Sequence, residues 1–334
     1  MKYIAPNWLP GGNLQTIWPA MVSARSLDHP PAPPYRRERW TTPDDDFIDV
    51  DYSVTNAGQT PATKQPLLVL FHGLEGSSSS HYALAFAKVA QQRGWAYAVP
   101  HFRGCSGELN RAPRAYHSGD FEEIGWMLAK LKAAHLLAGG GAILAVGISL
   151  GGNALMRWAQ EEEEAAMQTV TALASVCSPL DMVASGEAIS KGFNRQVYTR
   201  MFLNTMKPKA MAQLAINPGM FDAKALQMSH DLYAFDNTFT APVHGFKNTE
   251  DYWLRASAKP HMQRIKLPAL ALNTVNDPFI PAWSLPKAAE VSKHVTLWQT
   301  GQGGHVGFPQ GKFPGQVMAM PEAVSGWLAE HLPT

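Results

Sequence analysis

The 334-residue chain carries 28 Lys and Arg against 27 Asp and Glu, and charged residues make up only 16% of it. A net charge of +1 leaves no electrostatic footprint for nucleic acid or an anionic membrane surface as main partner. Hydrophobic residues at 46% exclude a disordered or fibrous chain and fit a well-buried globular enzyme.

The N-terminal stretch Met1 to Pro10 has no uninterrupted apolar segment, because prolines break it early. No stretch approaches the ~18 apolar residues that span a bilayer. The expectation is a cytoplasmic chain without stable membrane insertion. Cys105 and Cys177 show neither a disulfide framework nor metal-ligand spacing, which suits a reducing compartment and packed, unreactive thiols.

The first sixty residues are rich in Pro and Trp and lack a clear helical period; His29 to Pro34 reads as a stiff connector. Tyr35 to Thr41 and Phe47 to Val54 flank the acidic turn Asp44-Asp45-Asp46 and are predicted to form a hairpin at a sheet edge. From Pro66 strands and helices alternate. Leu67 to Phe71 is a continuous apolar run, as in a parallel strand covered on both faces. His81 to Arg93 reads as a helix stopped by Gly94, and Trp95 to Pro100 as the next strand. Phe121, Ile124, Leu128 and Leu131 form a helical stripe with Asp120 as N-cap.

Ala142 to Val146 is again an apolar strand, followed at once by Gly147-Ile148-Ser149-Leu150-Gly151 and a run of helix formers. Val170 to Cys177, Leu267 to Val275 and Val295 to Thr300 complete the strands, and a helix from Pro321 to His331 closes the chain. This rhythm predicts an α/β fold: a mostly parallel, doubly wound sheet with helices on both faces. Residues 181–262 break the rhythm. They hold seven of the 14 methionines, with six phenylalanines, and read as a helical lid over the carboxyl ends of the strands. The expected division is therefore 1–180 for an N-terminal extension and the first part of the core, 181–262 for the lid, and 263–334 for the remainder. Glu161 to Glu164 reads as a solvated helix end.

The pentapeptide around Ser149 has the G-x-S-x-G spacing of a nucleophile elbow. A serine on so sharp a strand-to-helix turn needs neighbours nearly free of side chain, and glycine two before and two after supplies that. Its hydroxyl is a poor nucleophile without a base and an orienting acid. In the order nucleophile, acid, base, Asp277 follows one strand in Asn276-Asp277-Pro278, and His305 follows the next, amid glycines 303, 304 and 307. His305 would take the Ser149 proton and Asp277 would fix the imidazole. Asp181 is the rival acid, with helix capping as its alternative role. Phe71-His72-Gly73-Leu74-Glu75-Gly76 follows the first parallel strand, where this arrangement draws its second oxyanion donor. The N–H groups of Leu74 and Leu150 are the predicted donors. Arg103 either braces the site floor or, as expected, a structural turn. Neither H-E-x-x-H nor a dense His and Asp cluster is present, so no metal or organic cofactor is expected.

Taken with Leu9-Pro10-Gly11-Gly12, Leu14-Gln15-Thr16, His72 to Ser77, Phe102 to Gly107, Gly147 to Asn153, Asn276 to Phe279 and Gly303 to Phe308, the chain resembles the YheT-like branch of α/β-hydrolase-fold proteins, relatives of abhydrolase-domain lipases. Asn13 stands where that pattern has histidine. The resemblance implies carboxylesterase or lipase-like activity on a small-molecule, uncharged acyl ester, and the flexible methionines of 181–262, if they face the site rather than fill their own core, predict short-to-medium acyl chains. Acyl transfer or thioester cleavage would use the same three residues, and a silent ligand platform would use none of them.

Overall fold

The computed structural model describes residues 1–22, 34–54 and 64–333, so most of the expected connector at 29–34 lies outside the described residues. Eight strands are present: β1 (Tyr35–Thr41), β2 (Phe47–Ser53), β3 (Leu67–Phe71), β4 (Ala96–Pro100), β5 (Ile143–Ile148), β6 (Ala172–Val176), β7 (Ala269–Thr274) and β8 (Val295–Thr300). They form one sheet in the order β1-β2-β4-β3-β5-β6-β7-β8. β1 and β2 are the expected antiparallel edge hairpin, and β2 also runs antiparallel to β4. From β4 to β8 every pairing is parallel.

Side chains alternate across β3, and the two faces bury different cores. Val69 and Phe71 point to one side with Ala145 and Leu173, under α3 (Phe121–Leu137) and α4 (Leu150–Glu162). Leu68 and Leu70 point to the other with Val146 and Leu272, under α2 (His81–Gln92) and the terminal helix Ala319–Ala329. Each fully buried Val, Leu or Phe among them contributes about 1.5–3 kcal/mol of transfer free energy. Both faces are covered, which explains why these strands read as continuous apolar runs.

The turn between β1 and β2 is fixed from below. Arg103 is buried and donates to Asp44 at 2.8 Å and Asp46 at 2.9 Å, while its Nε reaches Glu123 of α3 at 2.6 Å. Arg103 thus braces a structural turn. Both cysteines are free and buried, and burial pushes the Cys105 thiol up to about 12.

Three sequence-based expectations require correction. Residues 12–22 form a helix, α1 (Gly12–Val22), despite Pro19 within it and no helical period in the sequence. Asp120 makes no side-chain capping bond to α3; both its oxygens instead accept from Arg114, at 2.6 and 2.7 Å. An ion pair with the Arg114 guanidinium outcompetes a bond to a backbone N–H. The acidic run is not simply solvated, since Glu163 pairs with Arg264 at 2.9 Å and Glu161 with Arg157 at 2.5 Å.

Residues 181–262 are mainly helical, with helices Met182–Ile189, Arg200–Ile216, Ala223–Met228 and Thr249–Ala256 and π-helical turns at Arg195–Thr199 and Asp236–Thr240. They carry a small core of their own, Leu203, Leu226, Phe235 and Phe239, with Met206, Met211 and Met220 packed on it. Among the described residues no helix is long and apolar enough to cross a membrane.

Candidate active site

Ser149 sits between β5 and α4 with φ +50° and ψ −118°. A non-glycine residue in that region is strained, and the surroundings impose it. A Cβ on Gly147 would stand 2.4 Å from the Gly152 Cα, and one on Gly151 would stand 2.4 Å from the His72 carbonyl oxygen. Only glycine lets the chain reverse this tightly. The turn is tied to the sheet by the Ser149 N–H, which donates to the Val176 carbonyl at 2.9 Å.

His305 and Asp277 arrive on the loops that follow β8 and β7. His305 Nε2 lies 2.9 Å from Ser149 Oγ, and His305 Nδ1 lies 2.9 Å from Asp277 Oδ2. The other carboxylate oxygen of Asp277 accepts the Phe279 N–H at 2.7 Å, so the buried acid is held at both ends. Since Asp277 can only accept, Nδ1 carries the proton and Nε2 is left to accept from the serine hydroxyl. Phe279 also lies against the imidazole, with ring centroids 4.3 Å apart. Asp181, the rival acid, is not in this constellation. Its side chain accepts the Ala184 N–H at 3.1 Å and caps the helix Met182–Ile189.

The loop after β3 passes directly beside the elbow: a Cβ on Gly73 would stand 3.3 Å from the Ser149 Cβ. Two buried or half-buried tyrosines secure its backbone. The Gly73 N–H donates to Tyr82 Oη at 3.0 Å and the Glu75 N–H to Tyr116 Oη at 2.9 Å. The N–H between them, that of Leu74, makes no such bond among the described residues. Leu150, as the first residue of α4, also has an N–H without an intrahelical acceptor. Both residues line the same cavity as Ser149 and His305. His72, just before this loop, has its Nδ1 2.8 Å from the Gly73 carbonyl and accepts the Phe102 N–H at Nε2. Burial pushes its pKa down to about 3, so it stays neutral.

The cavity has a volume of about 680 Å³ and is walled largely by apolar side chains. Residues 181–262 supply Met182, Ile189, Val197, Met201 and Phe202, while α1 adds Ile17. Of the seven methionines in that segment, Met182, Met201 and Met206 reach the cavity; Met262 belongs to the main core and Met228 is exposed. The methionines therefore divide between packing and the cavity wall. Among the described residues, no group of three or more His, Cys, Asp or Glu is placed to share a metal ion.

Several contributors were not evident from residue type alone. Tyr82 and Tyr116 lie outside any recognisable motif. Asn13 accepts a hydrogen bond from Tyr198 at 3.0 Å, which joins α1 to residues 181–262. Gln15, Thr16 and Asn276 touch the loops of His305 and Asp277.

Comparison with known proteins agrees with this architecture. The family profile for the alpha/beta hydrolase fold matches residues 66–312. YheT of Escherichia coli (strain K12), a candidate esterase by name, is 38% identical over 297 residues, covering 88% of this chain and 85% of YheT. Mouse phospholipase ABHD3 is 26% identical, covering 91% of this chain and 75% of its own. The monoacylglycerol lipase of Saccharomyces cerevisiae is 25% identical, covering 82% of this chain and 59% of its own. Among solved structures, the Pyrococcus furiosus esterase Pf2001 superposes with a TM-score of 0.55 at 14% identity, covering 99% of this chain and 98% of that one, a likeness of fold alone.

Proposed function

This chain belongs to the alpha/beta hydrolase family and is a hydrolase of the esterase and lipase type, and we propose that Ser149, His305 and Asp277 are its nucleophile, base and acid. The observation that carries this reading is the unbroken hydrogen-bonded line from Ser149 Oγ through both His305 nitrogens to Asp277. Ser149 Oγ attacks the ester carbonyl carbon as His305 Nε2 takes its proton. The carbonyl π electrons move to oxygen, and the Leu74 and Leu150 N–H groups receive the oxyanion; one such donor is worth about 3–4 kcal/mol in the transition state. Collapse expels the alkoxide, which takes the proton from His305 and leaves as alcohol. Water then attacks the acyl-serine, His305 accepts its proton, and the second collapse returns that proton to Ser149 Oγ while carboxylic acid departs. Asp277 stays ionised and stabilises the imidazolium at each stage.

The cavity supports a substrate class. Its apolar walls favour an uncharged acyl chain, and each methylene buried there adds about 0.8 kcal/mol. Residues 181–262 act as the lid, and the flexible thioethers of Met182, Met201 and Met206 accommodate chains of varied shape. We assign the enzyme to short-to-medium acyl esters, with the N-terminal extension and first part of the core in 1–180 and the remainder of the core in 263–334, beneath the lid. A series of p-nitrophenyl esters of rising acyl length tests this: kcat/KM is expected to climb above acetate until the cavity is full. A flat profile, or preference for anionic esters, would overturn it.

A further inference from the structure

Helix α1 lies outside the segment matched by the family profile, yet it packs against both loops that deliver the base and the acid. Contact is close enough to demand glycine on each side. A Cβ on Gly12 would fall 1.8 Å from the Asn276 carbonyl oxygen, and one on Gly307 would fall 1.8 Å from the Gln15 carbonyl oxygen.

Gln15 is fully buried at this junction. Its Oε1 accepts two hydrogen bonds, from the Gly303 N–H of the His305 loop and from Asn276 Nδ2 of the Asp277 loop, both at 2.9 Å. Its Nε2 donates to the Leu9 carbonyl at 2.9 Å, which fixes which end of the amide faces the loops. Asn276 closes the ring by accepting the Gly304 N–H at 3.0 Å. At the next residue, Thr16 Oγ1 accepts the N–H of His305 itself at 2.8 Å and donates to the Gly12 carbonyl at 2.7 Å. Gln15 Oε1 thus ties the base loop to the acid loop, while Nε2 anchors the carboxamide to the Leu9 carbonyl.

We infer that Gln15, with Thr16, is a positioning residue: through Gly303, Asn276 and the His305 N–H it sets the separation and orientation of His305 relative to Asp277. The proposal rests on the assignment of those two residues as base and acid. Without Gln15 Oε1, the buried Gly303 N–H and the half-buried Asn276 amide lose their acceptor, and the loops must move to find others. Misplacement of a base by about 1 Å costs on the order of 100-fold in rate.

The test uses the full chain with Gln15→Leu, Thr16→Val and Thr16→Ser. Thr16→Ser keeps the acceptor and serves as the conservative rescue. Two quantities are read: steady-state kcat and KM on a p-nitrophenyl ester, and the low-field NMR resonance of the His305 Nδ1 proton, which reports the bond to Asp277 whether or not turnover occurs. Gln15→Leu is expected to lower kcat about 10- to 100-fold with KM nearly unchanged, and to shift or broaden the resonance. Thr16→Val should do the same more weakly, while Thr16→Ser restores both readouts. Should Gln15→Leu fail to fold, the pair of Thr16 variants decides alone. A folded Gln15→Leu or Thr16→Val with wild-type kcat and an unmoved resonance overturns the proposal. A moved resonance with wild-type turnover upholds the clamp and instead removes His305 and Asp277 from the chemistry.

Discussion

Tyr116 closes a ring with Glu75: its hydroxyl oxygen accepts the Glu75 N–H at 2.9 Å and its proton goes to Glu75 Oε1, also at 2.9 Å. The second carboxylate oxygen of Glu75 pairs with Lys209 of the helix Arg200–Ile216 at 2.8 Å. Glu75 holds a left-handed backbone with φ +57°, a conformation that needs such external restraint. The result is a rigid residue immediately beyond the Leu74 N–H, tied both to the core and to residues 181–262.

Tyr116→Phe should therefore lower kcat on p-nitrophenyl esters about tenfold with little change in KM, because a displaced oxyanion donor matters chiefly in the transition state. Steady-state kinetics check this. Wild-type kcat in a folded Tyr116→Phe variant would show that Leu74 needs no such support.

Asp277→Asn is expected to reduce turnover by roughly 10⁴-fold, since an amide facing His305 Nδ1 favours the wrong tautomer. Asp181→Asn removes a capping carboxylate and should cost at most about 1 kcal/mol of stability while turnover persists. Assaying both variants side by side separates the two acids, and the reverse pattern would exchange their roles.

Two buried histidines should make the fold sensitive to acid. Burial pushes His72 and His117 each down to about 3, so the folded chain refuses protons that the unfolded chain takes up below 6.5. The sign follows: their contribution is complete above pH 6.5 and is lost as pH falls toward 3, at about 1.4 kcal/mol per pH unit for each histidine. Protonating His72 would also turn its Nε2 from acceptor to donor against the Phe102 N–H. Burial raises Glu123 to about 7 and Asp236 to about 6, which opposes this slope, so the readout is a difference: below pH 6.5 the wild-type urea midpoint should fall relative to that of His72→Gln. Equal slopes for the two proteins would show that His72 is not held neutral.

The elbow was legible because its signal is local: an apolar strand, two glycines at fixed offsets and a helical run all lie within a few residues. His305 stood out for a similar reason, as a histidine among glycines beyond a strand. Helix α1 was not legible. It spans 11 residues with a proline inside, and the bonds that seat it reach partners 261 and 288 positions away. Asp120 misled for the opposite reason, since its position suits a cap but the irregular segment before it brings the Arg114 guanidinium within reach of both carboxylate oxygens. Tyr116, in that same segment, gave no pattern at all. Local periodicity thus yielded the layers and the order of the candidate site residues, while the groups that hold them still depend on long-range contacts.

The central claim is that Ser149 forms an acyl-enzyme, and active-site labelling with a fluorophosphonate tests it most directly. The wild-type chain should incorporate one probe at Ser149, located by peptide mass spectrometry. Ser149→Ala should keep its melting temperature, take up no probe and lose several orders of magnitude in ester turnover. Probe found on another residue, or more than about a tenth of wild-type turnover in folded Ser149→Ala, would contradict the account.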